Sequence, residues 1–344
     1  MRAFIWIIGL VIVAGLARMA WVMVPASGAL TTLEPQLAEQ CSRVDVHPGT
    51  EDVTIDPDTG IVYVSAYDRR DASGPDGGIF AFTFGDMTPR KISTDAPDGF
   101  RPHGISLWRG EDGMKRLFAI SHPTDGTHVV EIFDVTDAEL THVSTVSFEE
   151  MYSPNDVVAV GPEQFYATND RRFAGGILAQ LETYLGLPLT GVVHWDGSEG
   201  RDVADGLAYA NGINASADGA TIHAASFLGR NIAVYDRDAA SGDLTLVKTL
   251  PVGTNPDNIE VAADGSLYIG AHPKPFEFLA HAADPSKVAP AQVVRLDPQT
   301  GETETVLVAL DGTLSGSSVG AVHDGRLVVG AVFDGHVLVC PLPN

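Results

Sequence analysis

Polar residues directly before a short apolar run recur along the chain, and this pattern limits the folds open to it. It appears in "TEDVTID", "SPNDVVAV" and "PDNIEV", at widely separated points. One such pair would be explained by Asn or Asp bonding its own backbone in a turn, but repetition indicates a structural repeat. Aligned on this pattern, the chain has six strand entrances, near Asp52, Ile105, Asp156, Gly212, Asn258 and Ser318.

The spacing of the entrances predicts the fold class. They are separated by about fifty residues, and several continue with a turn and a second apolar run, as in "VGPEQFYATND" and "AADGSLYIGAH". The 36 Gly and 21 Pro residues are typical of many short strands joined by turns. Six units of this length, each needing a neighbour to bury its faces, predict an all-β, six-bladed β-propeller. A β-sandwich would not need six equivalent units.

In a propeller the first strand of each blade lines the central channel, so the polar entrances should meet there. Their carboxylate and amide oxygens are hard ligands that suit Ca²⁺, whereas Zn²⁺ would favour His or Cys. Four carboxylates would balance two calcium ions, and neighbouring residues of a strand face different depths, which predicts one ion above the other. The alternative is a set of separate turns. The residues concerned are Glu51, Asp52, Asn155, Asp156, Asn211, Asp257 and Asn258.

The chain begins with an export segment. Residues 1–29 contain two apolar stretches interrupted by Arg18 and are long enough to span a bilayer. We favour a retained signal-anchor over a signal peptide cleaved near Ala26, and either one places the rest outside the cytoplasm, in the periplasm or secreted. A linker at 30–40 would precede the propeller domain at 41–344. The net charge of −24 repels phosphate backbones, so nucleic acid is not expected as a partner.

The chain has two cysteines, Cys41 and Cys340, which bracket the repeat region. In an exported chain this placement favours a disulfide that ties the two ends together over a metal pair or two free thiols.

Several segments are similar to those of the paraoxonase/arylesterase family, the six-bladed calcium lactonases. They include "RPHGISLW", "SPNDVVAVGPEQFYATND", "YANGINAS", "PDNIEV" and "GSSVGAV", and the resemblance runs from about Cys41 to Cys340. It implies a catalytic calcium held by Glu51, Asn155, Asn211, Asp257 and Asn258. It also implies a structural calcium held by Asp52, Asp156 and the backbone carbonyl of Ile105, and a disulfide between Cys41 and Cys340.

The resemblance further implies that His103 and His122 form a dyad that activates water, with Glu51 as an alternative base. The other histidines, such as His142 and His323, are interpreted as structural. Substrate-pocket positions implied by the family are Tyr209, Ser318 and Val332. Two insertions, around 171–191 and 274–292, have near-helical apolar spacing and are expected as short capping helices that shape the substrate canopy or touch a membrane, with plain surface helices as the alternative.

These features together predict a calcium-dependent hydrolase of carboxylic esters, with lactones and aryl esters as small-molecule substrates. The alternatives are a non-catalytic propeller stabilised by calcium and a gluconolactonase-like enzyme with another substrate. The non-catalytic alternative would keep the metal ligands and lose His103 or His122, and this sequence retains both.

Overall fold

The polar entrances open the innermost strands of six four-stranded antiparallel sheets, which confirms the predicted propeller. The structure, a computed structural model, describes residues 2–71, 77–137 and 139–342. Residue 1 of the predicted export segment and residues 343–344 of the predicted propeller domain lie outside the described residues. Along the chain, the strands of the first three blades follow a preceding strand β1 (Ser42–Asp45) and are β2 (Asp52–Ile55), β3 (Ile61–Ala66), β4 (Gly78–Thr83), β5 (Arg90–Lys91), β6 (Pro102–Arg109), β7 (Lys115–Ser121), β8 (Val129–Thr136), β9 (Glu139–Val146), β10 (Pro154–Ala159), β11 (Phe165–Asn169), β12 (Thr190–Trp195) and β13 (Gly200–Leu207).

The second half of the chain repeats the same arrangement. Its strands are β14 (Ala210–Ala215), β15 (Thr221–Ser226), β16 (Asn231–Arg237), β17 (Leu244–Pro251), β18 (Pro256–Val261), β19 (Leu267–Ala271), β20 (Ala291–Leu296), β21 (Thr303–Ala309), β22 (Ser317–His323), β23 (Arg326–Ala331) and β24 (His336–Pro341). In the first five blades the strands pair in chain order, and β22, β23 and β24 of the sixth blade do the same, so β2, β6, β10, β14, β18 and β22 lie innermost.

The sixth blade closes the ring with residues from both ends of the chain. Strand β1 pairs antiparallel with β24 and completes the sheet formed by β22 to β24. Next to this pairing, Cys41 and Cys340 form a disulfide with their Cα atoms 4.1 Å apart, which confirms the predicted bond. The first and last strands of the chain therefore close the ring by pairing within one sheet.

The core lies between neighbouring blades rather than within any one of them. Between the first and sixth blades, for example, Val53 and Val64 pack against Val319 and Val328. Between the second and third, the rings of Phe118 and Phe165 meet edge to face with centroids 6.1 Å apart. Burying a side chain of this size contributes about 1.5–3 kcal/mol, which a blade gains only when its neighbour is present.

In the part of the chain that the structure describes, three α-helices lie outside the blades: α1 (Arg2–Ala26), α2 (Gly176–Leu185) and α3 (Pro275–Ala283), with a short 3₁₀ turn at Ala38–Gln40. Both predicted insertions are thus helical. Within α1, Trp6–Ala26 is long and apolar enough to cross a bilayer and is not buried by the rest of the chain. Its Arg18 donates hydrogen bonds to the carbonyls of Leu185 and Gly186 at the end of α2.

Candidate functional site

The inner strands begin with a local irregularity that turns polar side chains into the channel. In the second to sixth blades, the pairing of the first two strands shifts register within three residues of the start, as between Pro154 and Val157. Bulges of this kind bend a strand and re-aim its side chains. The backbones also approach closely: a Cβ atom at Gly104 would clash with Asp156, and one at Gly212 would clash with the backbone of Asp257 and Asn258. Glycine at these two positions allows adjacent entrances to meet.

The structure brings the five predicted ligands of the catalytic calcium to this end of the channel, and all five are buried. Four of them carry a buried side-chain oxygen that has no hydrogen-bond partner in the described part of the chain: Glu51 Oε2, Asn155 Oδ1, Asn211 Oδ1 and Asn258 Oδ1. Buried polar atoms are rarely left unsatisfied, because each one costs about 1–3 kcal/mol. Unpartnered oxygens on carboxylate and amide groups are a donor set that fits Ca²⁺.

The fifth predicted ligand, Asp257, is held by a histidine that follows the next strand. His272 Nε2 lies 2.7 Å from Asp257 Oδ2 in a buried contact. Burial raises the pKa of Asp257, and His272 partly opposes that effect. The ring of Phe278 in α3 packs on His272 with centroids 4.1 Å apart, so α3 lies beside this part of the site.

Glu51 is the most densely contacted of the five. Asn258 Nδ2 donates to Glu51 Oε1 at 3.2 Å, His103 Nε2 lies 3.4 Å from the same oxygen, and Arg69 Nη2 lies 3.9 Å from Oε2. Burial acts to raise the pKa of Glu51, but His103, Arg69 and Asn258 together outweigh it and hold the pKa below its usual value. Arg69 was not anticipated from the sequence.

The two carboxylates predicted to hold the structural ion, Asp52 and Asp156, are buried and arranged alike. Asp52 accepts hydrogen bonds from the backbone N–H groups of Val53 and Ile105, and Asp156 accepts them from Val157 and Ile213. Each aspartate therefore joins its own inner strand to that of the next blade.

Burial is the main cause that raises the pKa of both Asp52 and Asp156 well above the usual range, and nearby carboxylates add to it. Glu260, also in an inner strand, shows the same direction for the same reasons. Such groups ionise readily only beside a cation, so this part of the channel favours a positive ion. At Ile105, the structure shows the N–H bonded to Asp52; the carbonyl remains the predicted ligand.

Within the described residues, no three His, Cys, Asp or Glu side chains are grouped as a metal site. The predicted sets have a different composition. Three of the five predicted ligands of the catalytic ion are asparagine amides, and the predicted set of the structural ion has two carboxylates and a backbone carbonyl. Such donors suit a hard cation of the calcium type better than zinc.

The two predicted dyad histidines are in direct contact. His103 Nδ1 lies 3.0 Å from His122 Nε2, and a third ring extends the chain, because His122 Nδ1 lies 2.9 Å from His128 Nδ1. The three residues are at the start of β6, just after β7 and just before β8, positions that antiparallel pairing places at one end of the blade. Burial is the main cause that lowers the pKa of His122 and of His128.

The other histidines named in the sequence lie elsewhere: His142 contacts Glu131 on the outer side of the second blade, and His323 stacks on Phe84. The three predicted pocket residues have different surroundings. Tyr209 is partly buried beside Arg171 and Phe227, with a left-handed φ of 62°. Ser318 is fully buried and donates to the carbonyl of Glu51, beneath the ligand set. Val332 is partly buried next to Phe333, whose ring packs near Phe278.

A cavity of about 820 Å³ lies at the other mouth of the channel. It is lined by the far ends of the inner strands, including Thr54, Trp108 and Asn214, and contains none of the predicted catalytic-calcium ligands or dyad histidines.

Helices α2 and α3 expose apolar side chains to solvent. Ile177 and Leu178 of α2 are 72% and 52% exposed, and Phe276 and Leu279 of α3 are 55% and 58% exposed. Buried Glu182 fixes the start of the α2 segment by accepting the backbone N–H groups of residues 172 and 173.

Comparison with known proteins shows relatives over most of the chain. A family model described as Arylesterase matches residues 88–342. Serum paraoxonase/arylesterase 2 of Gallus gallus is 36% identical over 331 residues, which are 91% of this chain and 92% of that protein. Serum paraoxonase/lactonase 3 of Homo sapiens is 32% identical over 327 residues, covering 90% and 91%. Among solved structures, a gluconolactonase from Xanthomonas campestris superposes with a TM-score of 0.55 at 16% identity, covering 91% of this chain and 96% of that one.

Proposed function

This chain belongs to the arylesterase family of the serum paraoxonases, and we propose that it is a calcium-dependent hydrolase of carboxylic esters whose main substrates are lactones. The names of its relatives support both the esterase and the lactonase activity. The observation that carries the proposal is the set of four buried oxygens that have no hydrogen-bond partner among the described residues and that converge from four blades beside a pair of bonded histidines.

The catalytic cation would be held by Glu51, Asn155, Asn211, Asp257 and Asn258, and a second by Asp52, Asp156 and the carbonyl of Ile105. When bound, the first ion supplies a positive charge that polarises the ester carbonyl and stabilises negative charge on its oxygen. His272 keeps Asp257 oriented toward the site through the 2.7 Å contact, and Asn258 does the same for Glu51.

His103 is the residue we assign as base. Its Nε2 faces the ligand set, 3.4 Å from Glu51 Oε1, while its Nδ1 contacts His122. A hydrogen bond at Nδ1 fixes the tautomer and leaves Nε2 free to accept a proton from water. Glu51 is less suited to that role, because it is one of the residues proposed to hold the catalytic cation and its surroundings hold its pKa below the usual value. A lactone suits this site, since its leaving alkoxide stays tethered and close to the histidine that holds the proton.

The surroundings of the site support attachment to a membrane, with the propeller outside the cytoplasm. Helix α1 provides an apolar anchor, and the disulfide between Cys41 and Cys340 is typical of oxidising compartments. The exposed apolar residues of α2 and α3 lie on elements next to α1 and next to the site, respectively. We expect this surface to lie against the bilayer and to select apolar lactones.

The test is a panel of aliphatic lactones, aryl esters and gluconolactone, measured with purified full-length protein with and without a calcium chelator. We expect hydrolysis of lactones and aryl esters that stops when calcium is removed. His103→Gln should abolish most of that activity without changing the melting temperature, and His142→Gln, on the outer side of the same blade, serves as the matched control. Hydrolysis of gluconolactone alone would favour the gluconolactonase-like alternative, and no hydrolysis with calcium bound would favour a non-catalytic propeller.

A further inference from the structure

The histidine chain does not end with the two residues predicted to activate water. His128 continues it, with contacts of 3.0 Å and 2.9 Å joining three rings in series. The first ring faces Glu51 and the ligand set, and the third stands beside the exposed loop at 124–127. A continuous row of imidazoles therefore leads from the site toward the surface of the second blade.

Only two arrangements of protons satisfy both contacts with neutral rings, because a neutral imidazole has one N–H and one acceptor nitrogen. In the first, His103 Nδ1 donates to His122 Nε2 and His122 Nδ1 donates to His128 Nδ1. In the second, every bond is reversed: His128 Nδ1 donates to His122 Nδ1, and His122 Nε2 donates to His103 Nδ1. Changing one arrangement into the other moves one proton equivalent from end to end of the row.

The proposed reaction requires such a transfer. Water attacks the acyl carbon and loses one proton to His103 Nε2, the bond to the leaving oxygen breaks, and the alkoxide takes this proton from His103 while the carboxylic acid forms. The acid then gives its own proton to His103 Nε2 and leaves as the carboxylate, so each turnover leaves one proton on His103 that has to reach solvent. The ligand set beside His103 is buried and the His103 side chain is only 18% exposed, so a path for this proton out of the channel is needed.

We propose that His128 is a relay residue that passes the proton of each turnover between His122 and solvent. This inference rests on the proposed function. When His103 holds a proton at Nε2, its Nδ1 proton moves to His122 Nε2, the Nδ1 proton of His122 moves to His128 Nδ1, and the Nε2 proton of His128 leaves to water. No charge remains in the row, and the rings end in the second arrangement. Rotation of the rings, or return of a proton at the other end, restores the first.

The charged groups around the row suit this direction. Burial lowers the pKa of both His122 and His128; His103, His128 and Arg69 lower the pKa of His122 further, whereas Asp170 acts to raise the pKa of His128. A proton is therefore less stable at the middle ring than at the outer ring, so it does not remain inside. His128 does not touch the substrate and acts only through His122.

A purely structural role for His128, in which it only orients His122, makes different predictions. Glutamine at 128 would still offer a hydrogen-bonding group to His122 but could not carry a proton onward. Small bases such as imidazole can replace a missing proton carrier, and the glutamine variant, which keeps a hydrogen-bonding group but carries no proton, separates this role from the orientation of His122.

The experiment measures lactone hydrolysis at neutral pH with calcium, in dilute buffer and with increasing imidazole. His128→Ala and His128→Gln should both lower kcat about tenfold in dilute buffer with KM unchanged, and imidazole should restore kcat of the alanine variant in a saturable way. His142→Ala is the control, because it removes a partly exposed histidine from the same blade and should change neither value. Melting curves confirm folding, and if the alanine variant melts early, the glutamine variant carries the test.

Parental kcat for both variants in dilute buffer would overturn the relay. So would a loss in the alanine variant that imidazole does not restore, or parental kcat in the glutamine variant alone. If the parent itself hydrolyses no ester or lactone, the proposed function fails and the relay with it; a parent that hydrolyses lactones with an unaffected His128→Ala variant rejects only the relay.

Discussion

Asp156→Ala should mainly lower stability and Asn211→Ala should mainly lower turnover, because Asp156 holds two inner strands together and Asn211 does not. Asp156 accepts the backbone N–H groups of Val157 and Ile213, both at 2.8 Å and buried. Removing the carboxylate leaves two buried donors without partners, at about 1–3 kcal/mol each, or roughly 2–6 kcal/mol in total. Loss of a charged ligand to the proposed structural ion adds to this, since binding of such an ion stabilises the fold.

Asn211 makes no comparable contribution to the fold. Its Oδ1 has no hydrogen-bond partner in the described part of the chain, so Asn211→Ala should change the free energy of unfolding by no more than about 1 kcal/mol. It removes an oxygen from the proposed catalytic site, however, and should lower kcat/KM at limiting calcium by at least about 10- to 100-fold.

Urea denaturation in excess calcium and lactone hydrolysis over a range of calcium concentrations measure both effects. Asn231→Ala in the same blade as Asn211 is the control for loss of an asparagine away from the site. Equal unfolding free energies for Asp156→Ala and the parent would refute a structural role for the Asp156 carboxylate. Parental turnover by Asn211→Ala at limiting calcium would refute its assignment as a ligand.

Three further outcomes are expected. Replacing Cys41 and Cys340 together by serine opens a loop with a sequence separation of 299 residues and should lower the unfolding free energy by about 5–6 kcal/mol in the chain-entropy model; an unchanged denaturation midpoint would contradict this. His103→Gln should lower lactone turnover by about 10²-fold or more and His122→Gln by less, with calcium binding by calorimetry unchanged in both; the reverse order would make His122 the base. Burial lowers the pKa of His223 to about 4, so between about pH 4 and 6.5 the unfolded chain binds a proton that the folded chain does not, and stability falls as pH falls through that range. Between about pH 7 and pH 4.5 the parent should therefore lose roughly 2–3 kcal/mol more unfolding free energy than His223→Gln. Equal losses in the two proteins would show that His223 is not the cause.

The sequence was sufficient to predict the propeller because each unit of its repeat carries the same local signals. Each unit combines a polar entrance, a short apolar strand and a turn, and the need to bury blade faces against neighbours fixes the closed ring. The meeting of Glu51, Asn155, Asn211 and Asp257 follows from that ring alone, since every inner strand begins at the same end of the channel.

The parts missed were contacts that depend on loops and on side-chain reach. Arg69 approaches Glu51 from a loop after β3, and His128 reaches His122 across the loop between β7 and β8, neither of which has a periodic pattern. A signal for His128 did exist: the start of β6, the end of β7 and the start of β8 share one end of the blade. Glu260 was also within reach of sequence reasoning, because it follows Asn258 by two residues in the same strand.

The most direct test of the account is a calcium titration of metal-stripped, full-length protein, following lactone hydrolysis and calcium binding in the same samples. We predict that turnover is absent at zero calcium and rises as calcium fills the set that contains Glu51 and Asn211, and that zinc does not replace calcium. Full lactone turnover by the metal-stripped protein, or calcium binding that is complete while turnover remains absent, would contradict it.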